Sequence, residues 1–108
     1  MSPVHQFVRI GKHAFVGGGY RVAKDVPPFI LASGEPLGYG GLNSVGLTRR
    51  GFSEEQIARL KKVYRLIYRS SLNVTQALIA VREQLGEHDE INEVVNFISK
   101  SERGIIRK

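Results

Sequence analysis

Three histidines and no cysteine limit the chemistry open to this chain of 108 residues. His5 and His13 stand eight positions apart, and no carboxylate sits at a spacing that would complete a facial metal site, so no structural metal is expected. Without cysteine there are no disulfides and no thiolate ligands, and the redox compartment stays open. No serine lies in a G-x-S-x-G elbow. Gly17-Gly18-Gly19 neither opens a helix nor carries a lysine, so it reads as a corner needing close backbone approach rather than as a phosphate loop. Arg49-Arg50 is the pair with the clearest use. Two planar guanidiniums at the end of a flexible loop and ahead of a helix suit a diphosphate, although the same dipeptide also serves as a plain exposed charge pair.

The elements that would position these residues change character near Phe52. Ten of the twelve glycines and all four prolines lie in residues 1–52, whereas eighteen of the twenty-six charged side chains lie in 53–108. From Val4 the chain reads in sixes, VHQFVR, IGKHAF, VGGGYR, VAKDVP, with an aliphatic residue returning at Val4, Ile10, Val16 and Val22. Neither a helix nor an ordinary strand favours that period, whereas one side of a triangular β-coil does, with one aliphatic side chain turned inward per side. Val8, Ala14 and Val26 occupy a second candidate inward slot, which Tyr20 interrupts, and Gly11 and Gly17 follow the aliphatic position where a corner needs backbone freedom. Two hairpins with glycine turns are the alternative. Pro27-Pro28 discourage continuing the coil. Phe29–Ala32 then reads as a final strand across the end of the solenoid, and Ser33–Gly51, with six glycines, as an extended loop.

Three helices are predicted beyond Phe52. Ser53 with Gln56 and Asn73 with Gln76 have the form of capping boxes, and Phe52 is placed to staple onto Ile57. Ile57, Leu60, Tyr64 and Ile67 form one apolar stripe, and Ala77, Leu78, Val81 and Leu85 a second that ends at Gly86. A third helix, from about Asp89 to Lys100, would bury Ile91, Val94, Val95 and Ile98. The tail SERGIIRK has no stop signal and is expected to dock. The resulting division is 1–34 for the last coils, 35–52 for a loop or linker expected to carry a binding function, and 53–108 for a helical domain.

The net charge of +6 and a pI near 10 favour acidic partners. No apolar run approaches the ~20 residues that span a bilayer, and the N-terminus lacks a secretory pattern, so the default location is cytoplasmic. A basic helix alone, with no recognised motif, gives no reason to expect nucleic-acid binding.

Beside this reading stands a resemblance. VHQF, VGGG, VAKDVPPF and GLNSVGLTRRGFS, followed by IYRS at 67–70 and SERGIIR at 101–107, resemble the end of the bacterial UDP-N-acetylglucosamine O-acyltransferase family, which starts lipid A synthesis. The resemblance implies terminal coils of a left-handed parallel β-helix followed by a C-terminal three-helix domain, assembled as a homotrimer with active sites between neighbouring β-helices. It also implies transfer of a 3-hydroxyacyl chain from acyl carrier protein to the 3-hydroxyl of UDP-N-acetylglucosamine, with a histidine as general base, an amide oxyanion donor, and no metal or cofactor. Residue by residue, His5 and Gln6 match the active-site cleft. Asn43, Arg49 and Arg50 match nucleotide-contacting positions, and Gly18 matches the position that limits acyl-chain length. Arg59, Lys61, Lys62 and Arg65 are the basic face on which acyl carrier protein would sit. Val45 stands where well-known members carry a carboxylate, so no uridine or ribose contact is carried over to that point.

The family's general base and oxyanion donor lie on coils before VHQF. Met1 falls where an internal residue of the family's chain would be, so a start codon assigned inside a gene or a truncated reading frame is expected, and the 108-residue chain alone is expected to be inactive. A free-standing trimerisation or carrier-protein-binding module is the competing reading.

Overall fold

Parallel stacking of two passes of the chain follows from the aliphatic repeat. The computed structural model describes residues 8–17, 22–34 and 36–107. In it Ile10 bridges Val26, and β1 (Phe15–Val16) pairs parallel with β2 (Ile30–Ser33), Phe15 opposite Leu31 and Val16 opposite Ala32. Partners lie sixteen positions apart rather than the eighteen that three hexads would give. The spacing is the same on both sides of Pro27-Pro28, at Ile10–Val26 before them and at Phe15–Leu31 after them. Having no N–H for the ladder, Pro27 and Pro28 are taken up in a buried corner, after which Phe29 N–H donates to the Lys12 carbonyl at 2.8 Å. Gly11 sits under that corner, where a Cβ would lie 2.3 Å from the Pro28 nitrogen.

Of the expected inward positions, Val22 and Val26 are fully buried, and Val8, Ala14 and Val16 pack partly buried against the core. Ile10 is a correction: it is 44% exposed. Among the described residues it belongs to the outer of two passes, stacked on one side only. Val4 and Tyr20 lie outside the described residues.

The glycine-rich stretch is also not the extended loop its composition predicts. Gly38–Leu42 forms β3, antiparallel to β2, and Ser44–Arg49 forms α1. β2 therefore lies in the middle of a sheet ordered β1-β2-β3, rather than across the end of the coils. Packing overrides propensity here. Tyr39 on β3 stacks on Tyr68 at 4.3 Å between ring centroids, and Leu47 on α1 is fully buried.

The helices α2 (Glu54–Tyr68) and α3 (Val74–Leu85) start where the capping residues place them, and α4 (Asp89–Ser99) starts at the expected Asp89 without a side-chain cap. Both capping boxes close, with Ser53 and Asn73 each accepting from the N3 amide and Gln56 and Gln76 reaching back. Their apolar faces meet in one core of Leu60, Val63, Tyr64, Val81, Ile91 and Val94, which is continuous with Val22, Ile30 and Leu47. Tyr64 donates to the Pro28 carbonyl at 2.6 Å, and Tyr68 to that of Ile106 at 2.9 Å. Burial raises both phenols, which keeps them as protonated donors. No helix among the described residues is long and apolar enough to cross a membrane.

The tail docks against both β layers. Ile105 bridges Asp25 and Arg107 bridges Gly38, while Ile106 is buried. Asp25, 2% exposed, closes this junction. Its carboxylate accepts from the Arg9 N–H at 2.8 Å and the Ser101 hydroxyl at 2.6 Å. Its own N–H and C=O pair with Gly104 and Ile106. The Arg9 guanidinium lies over the Phe97 ring at 4.2 Å and donates to the Phe97 carbonyl at 2.7 Å. Ser101→Ala is expected to lower stability by about 1.5–3 kcal/mol, the range for a hydrogen bond to a charged group. Asp25→Ala should cost more, and the double variant less than the sum, because both changes remove the same bond. Urea unfolding of the three variants measures this; strict additivity would show that the two side chains act independently.

Candidate functional site

Arg49 and Arg50 close a helix of six residues, too short to persist unsupported. Its support begins with Asn43, the N-cap. The Asn43 side-chain oxygen accepts from Gly46 N–H at 3.3 Å, and Nδ2 donates to the His13 carbonyl at 3.1 Å. The Asn43 backbone N–H donates to the Phe29 carbonyl at 2.8 Å. Leu47 anchors the middle of the helix in the core. Both arginines are exposed. Neither takes part in the ion pairs of the described residues, Arg9–Asp25 and Arg59–Glu90.

The surface under this helix is a corner of the stacked coils. His13 (φ 57°) and Phe29 (φ 71°) occupy equivalent places in the two passes, and both adopt the left-handed conformation. Such conformations cost on the order of 1–3 kcal/mol each in a residue with a side chain. Aromatic packing offsets part of that cost. The His13 ring lies 6.1 Å from Phe29 and 6.1 Å from Phe52, and Phe29 lies 5.6 Å from Phe52. Phe52 thus faces the corner, a role that its reading as a staple onto Ile57 did not include. Partial burial, then the charges of Arg50 and Lys12, hold the His13 imidazole below its ordinary value of 6.5, against a smaller upward pull from Glu93.

The other candidate residues separate. Lys61, Lys62 and Arg65 are exposed on α2. Arg59 is not part of that free face, because its Nε and Nη2 both lie 2.6 Å from Oε1 of Glu90, which is 5% exposed. His5, Gln6 and Gly18 lie outside the described residues. A hollow of about 360 Å³ beside Arg49 is lined by Ser44, Val45, Thr48 and Arg49. A larger one of about 670 Å³, between α3, α4 and the tail, holds none of the candidate residues. Among the described residues no group of three His, Cys, Asp or Glu could hold a metal ion.

A family model described as UDP N-acetylglucosamine O-acyltransferase, domain 2, matches residues 25–106. The chain belongs to the UDP-N-acetylglucosamine O-acyltransferase family. The acyl-[acyl-carrier-protein]–UDP-N-acetylglucosamine O-acyltransferase of Myxococcus xanthus is 45% identical over 107 residues, covering 99% of this chain and 42% of its own. The same-named protein of Paracidovorax citrulli is 47% identical, covering 96% and 41%. Among solved structures, the UDP-N-acetylglucosamine acyltransferase from Bacteroides fragilis superposes with a TM-score of 0.95 at 47% identity, covering 98% of this chain and 42% of that one. The Arabidopsis UDP-N-acetylglucosamine acyltransferase gives 0.89 at 34%, covering 98% and 40%. The chain therefore spans 40–42% of the length of these relatives.

Within this acyltransferase family segment, two measurements separate structural from available charge. Arg59→Ala strands the buried Glu90 carboxylate and is expected to cost about 3 kcal/mol or more, whereas Lys61→Ala and Lys62→Ala should stay within about 0.5 kcal/mol; chemical unfolding distinguishes them. NMR titration is expected to show His13 titrating below 6.5, and Arg50→Ala moving it back up. Because the folded value lies below the unfolded one, the linked stability is complete above pH 6.5 and is lost as pH falls through the folded value. An imidazole that Arg50→Ala leaves unmoved would remove Arg50 from this surface.

Proposed function

We propose that this chain is the C-terminal portion of an enzyme that transfers a 3-hydroxyacyl group from acyl carrier protein to the 3-hydroxyl of UDP-N-acetylglucosamine, the first step of lipid A biosynthesis. One observation carries the reading. In a chain of this family, two adjacent guanidiniums are exposed at the end of a helix that is fastened at its start to the coil corner. Two such groups neutralise a pyrophosphate, and guanidinium–phosphate bonds are charge-assisted and frequently bidentate. Asn43 keeps one N–H and one lone pair beyond its internal bonds, enough for a sugar or base edge.

In this reading the stacked passes are the last coils of a left-handed parallel β-helix, residues 35–52 carry the nucleotide contacts, and 53–108 form the helical domain. The assembly is a cytoplasmic homotrimer with clefts between neighbouring β-helices, lined by His5 and Gln6, and Gly18 leaves room for the acyl chain. Acyl carrier protein sits on Lys61, Lys62 and Arg65, whose positive face is complementary to an acidic partner. Arg59 supports that face through Glu90. No metal, cofactor or nucleic acid takes part. The general base and oxyanion donor come from parts of the family's chain that these residues do not include. Such groups supply about 10²–10⁴-fold and about 10²–10³-fold in rate.

The test is acyl transfer by a full-length enzyme carrying this segment, by its Arg49→Ala variant, and by the 108-residue chain alone. Arg49→Ala is expected to weaken UDP-sugar use about tenfold or more, as loss of a charge-assisted bond implies, and the short chain to show no transfer. An unchanged KM and kcat in Arg49→Ala would end the pyrophosphate role. Transfer by the short chain would show that the base lies within these residues. A full-length protein that binds acyl carrier protein but transfers nothing would favour the non-catalytic module.

A further inference from the structure

We propose that the His13–Phe29 corner is a platform that sets the position of the Arg49–Arg50 pair, with Asn43, Gly46 and Phe52 as its positioning residues. The inference rests on the reading of Arg49 and Arg50 as the diphosphate contact.

Helix α1 is held to one corner at both ends. Before it, Asn43 donates to the His13 carbonyl and receives the Gly46 N–H, while its backbone N–H reaches the Phe29 carbonyl. After it, Phe52 meets the rings of both His13 and Phe29, and Phe52 N–H donates to the Leu47 carbonyl at 3.1 Å. Only Gly51 separates Arg50 from Phe52. The arginines are therefore carried on a short span whose two fastenings converge on the same two residues of the coils.

Gly46 supports the same reading. Glycine inside a helix is unfavourable relative to alanine, and a six-residue helix has little to spare. Space accounts for it: a Cβ on Gly46 would lie 2.6 Å from Asn43 Nδ2 and 3.0 Å from Oδ1. The missing side chain is the room in which the Asn43 amide turns to His13. The left-handed backbone at both His13 and Phe29 fits as well, since it marks a conformation that the surrounding contacts must hold in place.

Asn43→Ser keeps a capping oxygen for Gly46 N–H but is too short to reach the His13 carbonyl. Phe52→Leu keeps an apolar group and removes the ring contacts at the other end. In the full-length enzyme, both variants and Gly46→Ala are expected to raise KM for UDP-N-acetylglucosamine by about three- to tenfold, the range for one net hydrogen bond or aromatic contact, with kcat little changed. Hydrogen exchange without ligand should quicken at the amides of Gly46–Arg50 and stay unchanged through α2. Unaltered exchange in Asn43→Ser overturns the platform, as does faster exchange with an unchanged KM in all three variants. A rise in KM for Asn43→Ser alone reduces Asn43 to a direct ligand contact and also overturns it. If Arg49→Ala itself leaves KM unchanged, the diphosphate reading fails, and the role given to the platform fails with it.

Discussion

A single buried carboxylate fixes how the two halves of this chain meet. Apolar burial holds the coils and the helices together, but it is non-directional and would tolerate sliding. Asp25 does not. An ionised group removed from water persists only where hydrogen bonds replace its hydration. Two hydrogen bonds replace it, from the Arg9 backbone in the outer pass and from Ser101 beyond α4, and the Arg9 guanidinium 3.9 Å away adds an opposite charge. Because Asp25 also bonds Gly104 and Ile106 through its backbone, displacing the segment beyond α4 removes the Ser101 bond to the carboxylate and opens the ladder together. Tyr64 and Tyr68 extend this fastening with hydroxyls that end on Pro28 and Ile106.

That junction is what allows a weak element to be useful. Helix α1 has six residues, a glycine among them and an exposed Val45, so local propensity does not explain it. It exists because Leu47 is buried and because its ends are tied to the coil corner. The corner in turn keeps its shape only while Phe29 is held between the passes and the helical domain, where Tyr64 bonds the preceding Pro28 carbonyl. Order in the arginine loop is thus inherited from the core rather than encoded in the loop.

Legibility in the sequence follows the range of the interactions. Ser53, Asn73 and their glutamines act across three residues, and the helix starts could be read directly. Val22 and Val26 follow from the repeat. Most of what depends on particular distant partners was hidden. Ser33–Gly51 has the composition of a loop, and only Tyr39 on Tyr68 and Leu47 in the core make it a strand and a helix. Asn43 is an N-cap residue type like Asn73, but with Gly46 rather than glutamine three residues on it has no capping-box signature. The six surrounding glycines concealed the cap. The partners of Asp25 and Glu90 lie too far along the chain, at Ser101 and Arg59, for any spacing rule to find.

The arginines show why composition locates a function only coarsely. In the sequence Arg49-Arg50 stands out as an adjacent pair, but Arg9 and Arg59 read as exposed cations like the rest in a chain of net charge +6. In the fold they divide by what they face. Arg9 and Arg59 each meet a carboxylate that is at least 95% buried, Asp25 and Glu90. Their charge offsets part of the cost of those buried anions; removing Arg59 takes away the guanidinium bonds of Glu90, whereas Asp25 keeps its bonds from the Arg9 backbone and Ser101. Arg49 and Arg50 face water on an element that the core holds still. A guanidinium in water is readily exchanged from solvent to a phosphate, and it binds best when its backbone is already in place, because less freedom is then lost on binding. Availability for a ligand is thus a property of the partner a charge lacks and of the support beneath it, and both are set by contacts far away in the chain.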